Sequence, residues 1–192
     1  MAGPGGAVLH RFAFLAGLLA VTLAGGGVAV ARSAPALSAS GPTTVQGTEA
    51  TAVFRIADRT VRQVRYVDGG TLRYTFRVTN DDRFPVSVRG LAADQPATRL
   101  FTYVGLVDED GDDEFRLGPG ESRLVTLSLR MGGCETLSAR AGAFVTEVVV
   151  DTERAGGVLD GDVRVALPEE VHTGSPREAF CPNSTATSRP PG

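Results

Sequence analysis

Alternation of apolar and polar residues is the clearest pattern in this 192-residue chain. It is most regular at 71–80 (TLRYTFRVTN) and at 123–131 (RLVTLSLRM). A period of two places every second side chain on the same face of a strand. Both segments are therefore predicted to be strands with one buried and one wet face.

Similar but weaker patterns continue through the rest of the chain after about Thr48. Such segments lie at 53–56, 60–67, 85–92, 99–107, 142–150 and 163–167. Turn sequences such as Asp68-Gly69-Gly70 and Gly118-Pro119-Gly120 separate them. About eight short strands with turns between them, and no convincing helix, predict an all-β antiparallel sandwich or barrel.

The beginning of the chain has a different character. Residues 12–31, FAFLAGLLAVTLAGGGVAVA, carry no charge and are predicted to form an apolar helix. Twenty residues at about 1.5 Å each just cross a bilayer core of about 30 Å. Residues 1–32 are therefore either a signal peptide, cleaved after Ala29-Val30-Ala31, or a single transmembrane anchor. Both alternatives predict an extracytoplasmic location for residues 33–192, either secreted or held in the cell membrane.

Composition divides the exported part into three. Residues 33–47 are rich in small residues, Pro and Gly and are predicted to be a linker. Residues 48–168 contain the strand patterns and are predicted to be the sandwich. Residues 169–192 are rich in Pro, Ser and Thr and are predicted to be a tail without regular structure.

The charge balance excludes several classes of function. All 19 basic residues are arginine, against 22 acidic residues, for a formal net charge of −3. Without lysine there is no Walker-type phosphate loop and no Schiff-base chemistry. A mildly acidic chain also lacks the basic footprint that nucleic-acid binding needs.

Both cysteines, Cys134 and Cys181, lie in the predicted exported part. Oxidising compartments favour pairing, so we expect a disulfide that tethers the tail at Cys181. The alternative is two free buried thiols.

Several of these segments together resemble a known class of protein. The strand 74–80, the following 85–88, the turn 117–122, and Cys134 and Cys181 resemble immunoglobulin-like β-sandwiches. The chain is similar to small exported actinobacterial proteins that carry one such domain behind a single apolar segment. The resemblance implies an immunoglobulin-like fold without catalytic residues. Its end loops are expected to contact a protein or a cell-envelope component.

The densest charge lies in the acidic loop, residues 108–114, with six acids in seven residues. The candidate oxygen ligands for Ca²⁺ are Asp108, Asp110, Asp112 and Glu114. An EF-hand would have Gly at its sixth position and Glu at its twelfth, where this chain has Asp113 and Pro119. The sequence favours a solvated turn, with Ca²⁺-dependent binding as the alternative.

Catalytic groups are sparse. His172 is the one histidine beyond residue 32 and no Gly-x-Ser-x-Gly motif is present, so we expect an exposed tail histidine and not a catalytic base. A carboxylate-based hydrolase would need two close carboxylates, one with a raised pKa. The leading hypothesis is a non-enzymatic interaction module without a cofactor, and its predicted binding end carries the acidic loop.

Overall fold

A computed structural model describes residues 34–48, 50–66, 69–96, 98, 100–132, 142–154 and 159–173. Within these ranges the chain forms ten strands and no helix. The strands are β1 (Leu37–Gln46), β2 (Ala50–Ile56), β3 (Arg59–Arg65), β4 (Thr71–Asn80), β5 (Val86–Leu91), β6 (Phe101–Asp108), β7 (Phe115–Leu117), β8 (Ser122–Met131), β9 (Ala143–Arg154) and β10 (Leu159–Thr173). The prediction of an all-β chain is confirmed.

The strands form two sheets that pack as a sandwich. The first has four strands in the order β1-β4-β8-β6, and the second has six in the order β2-β3-β10-β9-β5-β7. All pairs are antiparallel except β3 with β10, which run parallel. The hairpin β2–β3 therefore extends the six-stranded sheet past β10, and β2 is its edge.

The core lies between the two sheets and explains the alternation in the sequence. On β4, Leu72, Tyr74 and Phe76 are fully buried, and Leu127 on β8 is buried beside them. The six-stranded sheet contributes mainly valines, of which Val148 and Val165 are fully buried. Burying apolar surface on both inner faces at about 25 cal/mol per Å² is the main stabilising contribution.

The predicted linker at 33–47 requires a correction. β1 runs through it from Leu37 to Gln46 and pairs with β4 in an antiparallel ladder. Six of its ten residues are exposed and none is fully buried, so burial imposes no clear apolar alternation on the segment. Its backbone hydrogen bonds to β4 hold it in place.

The predicted end of the sandwich at Pro168 is also wrong. β10 continues to Thr173, and its register with β9 shifts between Ala166 and Val171. Because Pro has no N–H to donate, it is tolerated in a sheet at such an irregularity. His172 is therefore part of a central strand and not of a tail.

Some predictions fall outside the described residues. These are the apolar segment 12–31, the predicted tail beyond residue 173, and both cysteines, Cys134 and Cys181. The part of the chain that the structure describes contains no helix with the length and apolar character of a membrane span.

Candidate functional site

The acidic loop is organised around the side chain of its first residue. Asp108 ends β6, and its side chain has no exposed surface. Its Oδ1 accepts the backbone N–H groups of Asp110 and Asp112 at 3.0 Å each. Its Oδ2 accepts a hydrogen bond from Nη1 of Arg123 at 2.7 Å. Both carboxylate oxygens of Asp108, the first predicted Ca²⁺ ligand, therefore accept hydrogen bonds that hold the loop in place.

The protonation of Asp108 reflects these contacts. Burial raises the pKa of Asp108, but the hydrogen bonds from Arg123 and from the N–H groups of Asp112 and Asp110 outweigh burial and lower it. The carboxylate is therefore charged at neutral pH, as a structural partner of Arg123.

The remaining candidate ligands do not gather around it. Asp110, Asp112 and Glu114 are exposed. Among the described residues, no group of three or more His, Cys, Asp and Glu side chains has a geometry that could hold a metal ion. The loop therefore presents a solvated acidic surface around one buried carboxylate.

A second acidic region lies beside β5, where an open groove of about 620 Å³ is lined in part by Asp151, Asp160 and Asp162. The guanidinium of Arg89 reaches into it, with nitrogen–oxygen distances of 3.4 Å to Asp151 and 3.1 Å to Asp160. Asp151 and Asp160 thus share one cation, as in a surface ion-pair network.

A hydrolase of the carboxylate type would need a general acid with a raised pKa. The two carboxyl groups with the best-defined partners shift the other way. The pKa of Asp108 is lowered, and the hydrogen bond from Arg59 lowers the pKa of Glu170. The carboxylates of Asp108 and Glu170 are therefore charged partners of arginines.

The two sheets are joined by a polar cluster inside the sandwich. Arg62 of β3 forms a salt bridge with Glu169 of β10, and the two side chains are 12% and 6% exposed. Arg62 also donates to the hydroxyl oxygen of Thr43 on β1, at 3.1 Å. Tyr74 lies beside them, and its pKa is raised by burial and then by the charge of Glu169. The cluster thus connects a charged pair of one sheet to residues of the other.

The outer face of the six-stranded sheet carries an exposed apolar surface. Phe54 and Ile56 of β2 and Phe144 of β9 are 48%, 58% and 49% exposed. We call these three, with Val61 of β3 and His172 of β10, the outer patch. The register gives the face, because Phe54 is opposite Val61 and Phe144 is opposite His172, while Val145 and Val171 beside them point into the core.

A ring contact joins two members of the outer patch, and an ion pair lies beside them. The rings of Phe144 and His172 are 4.6 Å apart. The guanidinium carbon of Arg59 lies 5.8 Å from the centre of the Phe144 ring, and Arg59 forms a salt bridge with Glu170. The result is an apolar and aromatic surface with one ion pair across it, a composition common in protein interfaces.

The outer patch could not be predicted from the sequence, because its members are far apart in the chain. Val53, Phe54 and Ile56 are three apolar residues in one short segment without strict alternation. They do not all fit on one buried face, and this is the sequence signal for an exposed apolar residue here. The sheet order then brings Phe144 and His172 to the same face.

Comparison with known proteins adds little to this geometry. No protein-family model matches the chain, and the search of curated proteins gives no match. Among solved structures, the chain is similar to the cupredoxin domain of amoB from Nitrosocaldus yellowstonii, at 14% sequence identity and a TM-score of 0.28. The aligned part covers 64% of this chain and 65% of that chain. A similarity of this size carries no argument about function.

Proposed function

We propose that this chain is an exported, non-enzymatic module of the immunoglobulin-like type that binds another protein of the cell envelope through the outer patch. The observation that carries the proposal is the exposure of Phe54, Ile56 and Phe144 on one face of a sheet. Apolar residues scattered singly over a surface need no explanation, whereas a grouped set rimmed by polar residues marks an interaction site.

The strand order supports the immunoglobulin-like part of the proposal. In a constant-type immunoglobulin domain, strands A, B, E and D form one sheet and C, F and G the other. Seven of the strands follow that scheme in chain order: β1, β4, β8 and β6 correspond to A, B, E and D, and β5, β9 and β10 to C, F and G. The hairpin β2–β3 and the short β7 are additions at the two edges of the second sheet.

The position of the outer patch supports a binding role for the added hairpin. Phe54 and Ile56 belong to β2, which is an edge strand of the second sheet. Exposed phenylalanine side chains supply large contact areas and are enriched in interface cores. The ion pair of Arg59 with Glu170, which lies across the patch, adds specificity more than affinity.

The alternative surface is the acidic loop, which the sequence favoured. Its exposed members are acidic, and its organising residue Asp108 is bound to Arg123. Charged residues of this kind are depleted in interface cores. The outer patch is therefore the better candidate for the contact surface.

Site-specific photo-crosslinking in exporting cells tests the proposal. Benzoylphenylalanine is placed at Phe54 or Phe144, with Phe84 as the matched control because it is 47% exposed. Phe84 lies near Asp82, which bridges to Arg154 at the far end of β9 from Phe144. We expect protein adducts from positions 54 and 144 and none from 84. Adducts from a probe at Asp110 alone would move the binding surface to the acidic loop, and equal adducts at all positions would remove the proposal.

A further inference from the structure

Every open sheet needs some device against unwanted pairing at its edges. Three of the four edge strands among the described residues have one. β1 contains Pro42 and an irregular register between Ser40 and Thr44. β6 has an irregular register between Tyr103 and Gly105. β7 is only three residues long.

The fourth edge strand, β2, has none of these devices. It pairs with β3 in an unbroken register over seven residues, from Ala50 to Ile56. Its sequence ATAVFRI has no Pro, Gly or acidic residue and a single charge, Arg55. Val53, Phe54 and Ile56 are about half exposed. A regular, apolar edge of this kind is a template for another strand.

The sequence of β2 is complementary to itself when reversed. If two copies run antiparallel about a twofold axis at Val53, Val53 meets Val53 of the second copy, Ala52 meets Phe54, and Thr51 meets Arg55. Large side chains then face small ones, and the two Arg55 side chains are not directly opposite. Cross-strand neighbours of this kind stabilise a sheet, whereas like charges directly opposite destabilise it.

We infer that β2 is a homodimerisation edge, along which two copies of this chain pair antiparallel and join their six-stranded sheets into one continuous sheet. The twofold axis stands perpendicular to the joined sheets, so the outer faces of both copies lie on the same side. The two outer patches then form one surface, with Phe54 of each copy as diagonal neighbours. A symmetric contact of this type closes at two copies and does not grow into a fibre.

Sedimentation velocity of the full chain tests the inference, with protein exported by its host and recovered from the medium or, in mild detergent, from the membrane. We expect a monomer–dimer equilibrium at micromolar concentrations. V53K and V53E each place like charges opposite one another at the axis, and each is expected to weaken the dimer by about tenfold or more. Their equimolar mixture is expected to recover it, because opposite charges then meet.

Matched controls separate dimerisation from folding. V104K introduces the same charge at Val104, which is 60% exposed on the edge strand β6, and should leave the dimer intact. Because Val53 lies opposite Arg62 on β3, V53E is the variant expected to disturb the monomer least, and its circular dichroism should match the parent chain.

Three outcomes would overturn the inference: a monomer at all concentrations, dissociation by V104K in place of V53K, or a mixture of the charge variants that stays monomeric. None of them removes the proposed function, because crosslinking from Phe144, away from the β2 edge, tests that separately.

Discussion

Arg123 on β8 donates from Nη1 to Oδ2 of Asp108, the last residue of β6, at 2.7 Å. The side chain of Asp108 is fully buried, while that of Arg123 is 28% exposed. Asp108 thereby anchors an acidic loop to the neighbouring strand. Asp108, a candidate Ca²⁺ ligand in the sequence, therefore has a structural role in the fold.

The lowered pKa of Asp108 gives a pH dependence of stability. A carboxyl group whose pKa is lower in the folded than in the unfolded state stabilises the fold above its unfolded pKa, about 3.9 for Asp, and loses that contribution as the pH falls through the folded value. D108N keeps the acceptor for the loop N–H groups but removes the charge. We expect D108N to lower the melting temperature at pH 7, and the difference from the parent chain to shrink towards pH 3. Thermal melts of both proteins across this range, with D113N as the exposed control, check it. A difference that stays constant with pH would contradict the ion-pair explanation.

The buried pair Arg62–Glu169 should be expensive to break. E169Q leaves the guanidinium of Arg62 inside the sandwich without its counter-ion, and we expect a loss of about 3–5 kcal/mol in the free energy of unfolding. E147Q, which breaks the exposed pair with Arg164, should cost no more than about 1 kcal/mol. Urea unfolding measures both. The double variant R62M/E169L should recover most of the loss, and failure to recover it would mean that the cluster has a role beyond mutual neutralisation.

Gly47 combines a left-handed backbone with a close contact. Its φ is +75°, and a Cβ at this position would lie 2.0 Å from the carbonyl oxygen of Thr71. Gly111 has φ of +90° with no atom within 4 Å of such a Cβ. G111A should therefore cost only the backbone strain, about 1–2 kcal/mol, and G47A clearly more, because Thr71 must move. Chemical denaturation of the two variants gives the comparison. If both variants lost the same free energy of unfolding, the backbone around Gly47 would have to move away from Thr71 at no cost, which would contradict the prediction.

The predicted disulfide can be tested against the register of the last two strands. Ala143 of β9 is paired with Thr173 of β10. Cys134 precedes the first of these by nine residues, and Cys181 follows the second by eight. Chain lengths that differ by only one residue, counted from neighbouring strand ends, favour a bridge. We expect the full chain under oxidising conditions to show no reactive thiol, and C134S and C181S to show one each with a lower melting temperature. Two reactive thiols in the native parent chain would contradict the prediction.

The strands with strict alternation were predictable because their pattern records burial directly. Thr71–Asn80 was predicted with the bounds that β4 has, and the segment 123–131 differs from β8 by one residue. Both strands lie in the middle of the four-stranded sheet with one face on the core. Such a position leaves a period of two in the sequence.

β1 and the second half of β10, which the sequence did not predict as strands, lack this period of two. β1 is held by its ladder with β4, and the second half of β10 by β3 and β9 together. Backbone pairing with neighbouring strands holds these segments in place, and Pro42 and Pro168 lie where the register of that pairing shifts. A hydrogen-bond partner distant in the chain cannot be read from local composition.

The candidate site divides in the same way. The sequence by itself determined an all-β chain, the place of the acidic loop and the formal net charge of −3, because composition and period depend on each residue's own chemistry. Only the tertiary structure decided that Asp108 binds Arg123 and that Phe54 and Phe144 share an outer face. Those relationships depend on the order of strands in the sheets, which is fixed by the packing of the whole core and not by any one segment.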